Sequence, residues 1–201
     1  MAPKYLMRIV REPKPGKTFE LMDAVIEQRQ RMGITEGVTT VSVAAPRMLI
    51  ISSTPYESLS ELQSRIDGIF DDDEARAGWD SVGALAKSTV NNLSRIVEPP
   101  DGIENANYIQ RYVFQHDPTS RRQLVAALQE LRAQGDGPKI GITQSTSGGA
   151  VVASRAVGSL AELEGHMDRL RDDPSTILRA ASVLAHCTSW SSGIAKVVSR
   201  P

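Results

Sequence analysis

Ser58-Leu59-Ser60-Glu61-Leu62 returns 101 residues later as Ser159-Leu160-Ala161-Glu162-Leu163. In each copy a serine stands three places before a glutamate, the capping-box pattern. The hydroxyl accepts from a first-turn backbone N–H, and the carboxylate reaches back to the cap. Behind the boxes, Leu59, Leu62, Ile66 and Ile69 recur at helical spacing, as do Leu160, Leu163, Met167 and Leu170. At the same offset Asp71-Asp72 meets Asp172-Asp173, Ser81-Val82 meets Ser182-Val183, and Arg95-Ile96-Val97 meets Lys196-Val197-Val198. Upstream the offset is 103, pairing Tyr5 with Tyr108, Arg8 with Arg111, Val10 with Val113 and Leu21 with Leu124. The two-residue change falls in the loop after the first helix, where insertions are tolerated. The chain is thus one unit of about 95 residues written twice.

Each copy reads strand, helix, strand, strand, helix, helix, strand. The spacing predicts first strands over 5–11 and 108–114 and first helices over 18–32 and 118–134, the latter opened by Asp117-Pro118 as N-cap and first-turn proline. Strand pairs are expected over 38–43 with 48–53 and 139–145 with 150–155, turning at Ala45-Pro46 and Gly148-Gly149. Asp173-Pro174 opens the third helix of the second copy, and Asp72-Asp73-Glu74 gives the first copy an acidic start favoured by the helix dipole. The polar stretch 101–106 is a short linker between halves 1–100 and 107–201.

This order makes a four-stranded antiparallel sheet with helices on one face, the ferredoxin-like α+β plan. Met48-Leu49-Ile50-Ile51 and Ala150-Val151-Val152-Ala153 are apolar at successive positions, as in strands buried on both faces. The sheets of the two copies are therefore expected to pack face to face as an intramolecular dimeric α/β barrel. Burial at ~25 cal/mol per Å² outweighs closing a short linker.

Three stretches carry a family likeness: Arg8 with Lys14-Pro15-Gly16-Lys17 after the first strand, Ser58–Leu62, and Leu93-Ser94-Arg95-Ile96-Val97 in the last. With the repeated order they resemble the dimeric α/β-barrel superfamily, which includes antibiotic-biosynthesis monooxygenase-like and NIPSNAP-like proteins. These are features of shape rather than of chemistry. The resemblance implies a ligand pocket between the sheet and helices of a unit. It also implies an activity drawn from a group holding cofactor-free oxygenases, haem-binding enzymes and proteins without assigned chemistry.

Composition narrows the partners. The 201 residues are 40% hydrophobic and 23% charged, with a formal net charge of −1. Residues 1–100 hold 12 basic and 14 acidic side chains, and 101–201 hold 11 and 10. Neither half has the basic excess that binding a phosphate backbone needs, so nucleic acid is not expected. No apolar run reaches membrane length, and the single cysteine, Cys187, fits a reducing compartment. A cytoplasmic protein without a membrane partner is the expectation.

No Ser-His-Asp set, paired carboxylates or paired cysteines stands out, so no catalytic residue is named. Gly16-Lys17-Thr18 ends like a phosphate-binding loop, but the glycine needed five places earlier is Arg11. The histidines, His116, His166 and His186, all lie in the second copy without zinc-ligand spacing, so no metal is expected. His186 replaces Leu85, Cys187 replaces Ala86 and Trp190 replaces Thr89 near the end of the third helix. The plain reading of His186 is a hydrogen-bonded or surface histidine; the functional one is a base, donor or haem ligand in a pocket. Arg8 and Arg111 share a strand face with apolar neighbours. They read either as arginines held by carboxylates or as anchors for an acidic substrate. Trp79 and Tyr112 are core aromatics or cavity walls.

The leading expectation is a protein that binds a small organic molecule between sheet and helices, working as a cofactor-free monooxygenase or isomerase, with the second copy as the specialised half. Ligand-pocket candidates are His186, Trp190, His166, Arg8, Arg111, Tyr112 and Trp79. The alternatives are haem held by His186 or His166, and a non-catalytic module whose outer strands pair with another chain. Further association of two such chains stays open.

Overall fold

The computed structural model describes residues 2–45, 47–135 and 138–200. The first copy runs β1 (Tyr5–Pro13), α1 (Thr18–Arg31), β2 (Val38–Ala44), β3 (Ile50–Tyr56), α2 (Leu59–Asp71), α3 (Asp73–Leu85) and β4 (Ala86–Glu98). The second repeats the order as β5 (Tyr108–Gln115), α4 (Arg121–Gln134), β6 (Gly141–Ser145), β7 (Ala150–Val157), α5 (Leu160–Asp172), α6 (Pro174–Leu184) and β8 (Ser189–Ser199). The chain divides into two compact units, 1–95 with 196–201, and 96–195.

Strand order is β4–β1–β3–β2 in the first unit and β8–β5–β7–β6 in the second, antiparallel in register. Placing the first strand between the third and the last is the ferredoxin-like arrangement, and the fold is α+β as the repeat predicts. In the first unit Ile9 lies opposite Ser52, Arg11 opposite Ile50 and Tyr5 opposite Tyr56. Alternate residues therefore share a face. Met7, Ile9 and Arg11 of β1 stand with Ser52, Thr54 and Tyr56 of β3 under the helices.

Both capping boxes form, with one difference from the expected pattern. Ser58 Oγ accepts from the Glu61 N–H at 3.1 Å, and Ser159 Oγ from the Glu162 N–H at 3.1 Å. The carboxylates reach one residue further back than the cap. Glu61 accepts from the Glu57 N–H at 2.7 Å and Glu162 from the Gly158 N–H at 2.8 Å. Asp173 opens α6 as read from the sequence, and Asp72, expected only as part of an acidic start, caps α3 with its side chain. The start of α4 differs. It begins at Arg121, because the Ser120 N–H donates to the Asp117 carbonyl at 3.0 Å and residues 117–120 close a turn first. Pro46, at the expected turn between β2 and β3, lies outside the described residues.

The cores of the units differ in kind. Leu21, Val25, Ile50, Val82 and Ala86 make a small cluster in the first. The second buries a larger one that includes Phe114, Leu124, Leu128, Ile142, Val151 and Val183. Each fully buried aliphatic contributes about 1.5–3 kcal/mol, so the second unit has the larger apolar anchorage. The first gives part of that space to polar side chains.

Candidate functional site

Those polar side chains surround a cavity of about 70 Å³ between the sheet and helices of the first unit. At 10–15 Å³ per water this is room for roughly five to seven water-sized occupants. β1 delivers Arg11, β3 delivers Ser52, Thr54 and Tyr56, α1 delivers Gln28 and Arg29, and α3 delivers Trp79.

Arg11 is 3% exposed and Arg29 7% exposed. Arg11 Nη1 donates to Ser52 Oγ at 3.4 Å, and its guanidinium carbon sits 5.7 Å from the Trp79 ring centroid. Arg29 donates to Thr54 Oγ1 and to the Glu36 carbonyl, both at 2.8 Å. Neither guanidinium meets a carboxylate among the described residues. Burial, reinforced by the charge of Arg29, pushes Arg11 down to about 10. Burial also lowers Arg29. It raises the Tyr56 hydroxyl, against the opposing pull of Arg65 and Arg29. Two desolvated cations without a counter-charge are costly. An anion placed beside them would relieve both the desolvation and the repulsion.

A second space lies next to the cavity. A groove of about 750 Å³ runs between α1, α2 and α3, and Gln28, Met32, Arg65 and Ile69 line both spaces. Gln28 is 8% exposed, and its buried Nε2 has no hydrogen-bond partner among the described residues.

The repeat shows which of these residues differ between the halves. Phe114 stands where the first unit has Arg11, Leu131 where it has Gln28, Ala153 for Ser52, Val157 for Tyr56 and Ala180 for Trp79. Arg132 keeps the place of Arg29, but pairs with Glu98 at 3.8 Å and Asp101 at 3.4 Å and donates to the Ile140 carbonyl. At five of these positions the polar or large aromatic residue of the first unit gives way to an apolar one, while Gln110, Arg155 and His166 stand where the first unit has Met7, Thr54 and Arg65.

Among the residues singled out from sequence, Trp79 lies in this cavity. Arg8 is buried in β1 on the opposite sheet face, its guanidinium lowered to about 10 by burial, and Arg111 is half-buried in β5. Tyr112 stacks on Phe114 at 6.3 Å between centroids and meets Trp190 at 6.4 Å. Its hydroxyl is raised by burial. Trp190 is 52% exposed at the start of β8, and His186 lies in the turn after α6, because α6 stops at Leu184. His166, half-buried on α5, is pushed down to about 4 by burial and then by Arg155 and Arg169. Sequence reasoning missed Arg11, Arg29 and Gln28. The signal was present in the pairs Arg11/Phe114 and Gln28/Leu131.

Among the described residues no three His, Cys, Asp or Glu side chains gather to hold a metal ion, and no helix is long and apolar enough to cross a membrane. The cavity and groove offer no imidazole or thiolate, so their residues do not fit a haem ligated in those ways. A histidine-ligated haem would draw on the second unit, for example on His166, whose imidazole is neutral near pH 7.

The fold, two ferredoxin-like α+β units in tandem, is shared with solved structures of low sequence identity. The chain superposes on an anthrone oxidase-like protein with a TM-score of 0.71 and 16% identity, covering 98% of this chain and 92% of the other. A candidate monooxygenase from Fusobacterium nucleatum matches with a TM-score of 0.74 at 7% identity, over 99% and 94%. A mutant chlorite dismutase from Candidatus Nitrospira defluvii matches at 0.55 and 8%, over 99% and 93%. No family model and no curated protein matches the sequence.

Proposed function

We propose that this protein binds a small organic acid in the sheet–helix cavity of its first unit and oxygenates it without a bound metal. The observation that carries the reading is the buried pair Arg11 and Arg29, which has hydroxyl, carbonyl and ring partners but no carboxylate. Around the pair, Met7, Ile9, Leu62 and Ile66 supply apolar walls, which suit the body of an organic molecule rather than a bare ion. The two cations favour the ionised form of a bound acid, enol or phenol. In an enol or phenol the ionised form is carbanion-like and adds dioxygen at a carbon that carries hydrogen: a C–O bond forms, the peroxide takes a proton, and loss of water leaves a carbonyl, so the substrate itself supplies the electrons. The likeness in fold to an anthrone oxidase-like protein and a candidate monooxygenase supports this reaction class by analogy.

Titration with salicylate and with salicylamide, followed by Trp79 fluorescence in a Trp190→Phe background, tests the binding. Salicylate should quench Trp79 saturably and bind at least about tenfold tighter than the neutral amide, as a charge-assisted contact of about 1.5–3 kcal/mol requires. Equal affinity for the two, or no response to either, would remove the organic-acid reading. Oxygen uptake with electron-rich phenols and enols, in the presence of a chelator, tests the chemistry.

A haemin titration read at the Soret band addresses the alternative, with His166→Ala and His186→Ala beside the unaltered protein. A saturable shift lost in either variant would move the site to the second unit.

A further inference from the structure

We infer that the first-unit site is bipartite: it takes an elongated oxo acid, its acid group at Arg11 and Arg29, a carbonyl oxygen accepting from Gln28 Nε2, and its body in the α1–α2–α3 groove. This rests on the organic-acid reading and adds the shape and the second functional group of the ligand.

Gln28 carries the inference. Its Nε2 is buried without a partner, and the side chain lines both the inner cavity and the groove. An unsatisfied buried amide donor costs about 1–3 kcal/mol. The fold does not require that cost. Leu131 holds the same place in the second unit and packs against its core. A glutamine at a position whose repeat counterpart is aliphatic offers a donor to a ligand acceptor. With the acid group of the proposed ligand at Arg11 and Arg29, the acceptor for Gln28 is a further oxygen of the same molecule.

The two volumes set its length. The inner cavity of about 70 Å³ holds little more than an acid group and a few carbons, whereas the groove that shares Gln28, Met32, Arg65 and Ile69 with it has about 750 Å³. Gly68 and Gly78 line that groove, and a Cβ built on either meets nothing within 4 Å. Its walls carry the carboxylates of Glu27, Glu61, Asp72 and Glu74 against the guanidiniums of Arg31 and Arg65, so a second acid group is disfavoured there and the body of the ligand carries no further negative charge.

Calorimetric titration of the full chain separates the two levels. The probes are 4-phenylbutyrate with 4-oxo-4-phenylbutyrate, and 5-phenylvalerate with 5-oxo-5-phenylvalerate. In the unaltered protein one oxo acid should bind about fivefold tighter than its parent, the worth of one neutral hydrogen bond. Gln28→Leu, which copies the second unit, should bring that ratio to about one. Gly68→Phe, which fills the groove, should weaken the preferred oxo acid relative to propionate. An oxo preference that survives Gln28→Leu, or none in the unaltered protein while the acids still bind, overturns the bipartite site. Failure of all four acids to bind overturns the organic-acid reading itself.

Discussion

The Arg11 guanidinium lies over the Trp79 ring at 5.7 Å, and at the positions equivalent to these two the second unit has Phe114 and Ala180. One place in a duplicated fold thus holds a cation on an aromatic face in one copy and an aromatic with a small residue in the other. A cation–π contact is worth up to about 2 kcal/mol when desolvated. That does not offset the burial of an uncompensated guanidinium next to Arg29. The arrangement makes sense as a site held at some expense to stability.

Arg11→Met should therefore stabilise the ligand-free protein while abolishing preference for an acid. We expect a gain of about 1–2 kcal/mol in chemical denaturation and loss of the discrimination between salicylate and its amide. A destabilised variant would mean that Arg11 is a structural residue.

Ser58→Ala and Ser159→Ala each remove an N-cap acceptor of matching geometry, 3.1 Å in both copies. Each should cost about 1 kcal/mol, and the double variant about the sum, because the caps share no partner. Urea midpoints check this. A double variant no weaker than either single one would contradict independent capping of the two copies.

Gly37 has φ +94°, and a Cβ there would collide with the Ser53 carbonyl oxygen. The close approach also places the Glu36 carbonyl where Arg29 donates to it. Gly37→Ala should cost about 2–4 kcal/mol and weaken binding of the acid probes through Arg29. Unchanged stability would show that the β2 entry relaxes freely.

His166 provides a pH-dependent term. Its folded-state pKa of about 4 lies below the usual 6.5, so between those values the unfolded chain binds more protons than the folded one. The contribution is present above pH 6.5 and is lost as the pH falls towards 4. His166→Gln should flatten the decline of the unfolding midpoint across that window. An identical pH profile in the variant would show that other groups set the acid limit.

The local architecture was legible in the sequence because it is written in short-range chemistry. The capping serines at 58 and 159, the carboxylates Asp72 and Asp173 before α3 and α6, and the leucine and isoleucine spacing behind them each act within a turn or two of the chain. Written twice, they also showed the repeat and hence the ferredoxin-like order of elements. Asp117-Pro118 misled because a turn and a helix start use the same residues, and only the Ser120 N–H, by donating to the Asp117 carbonyl, decides between them. The candidate site was decided by tertiary structure. Arg11, Gln28, Ser52 and Trp79 come from four elements, and nothing local says that a strand arginine will sit on a helix tryptophan. Which strand face lies under the helices, and whether a buried cation finds a carboxylate, depends on long-range register and packing. In the second unit that packing gives Arg132 its acidic partners; in the first it leaves Arg11 and Arg29 without them.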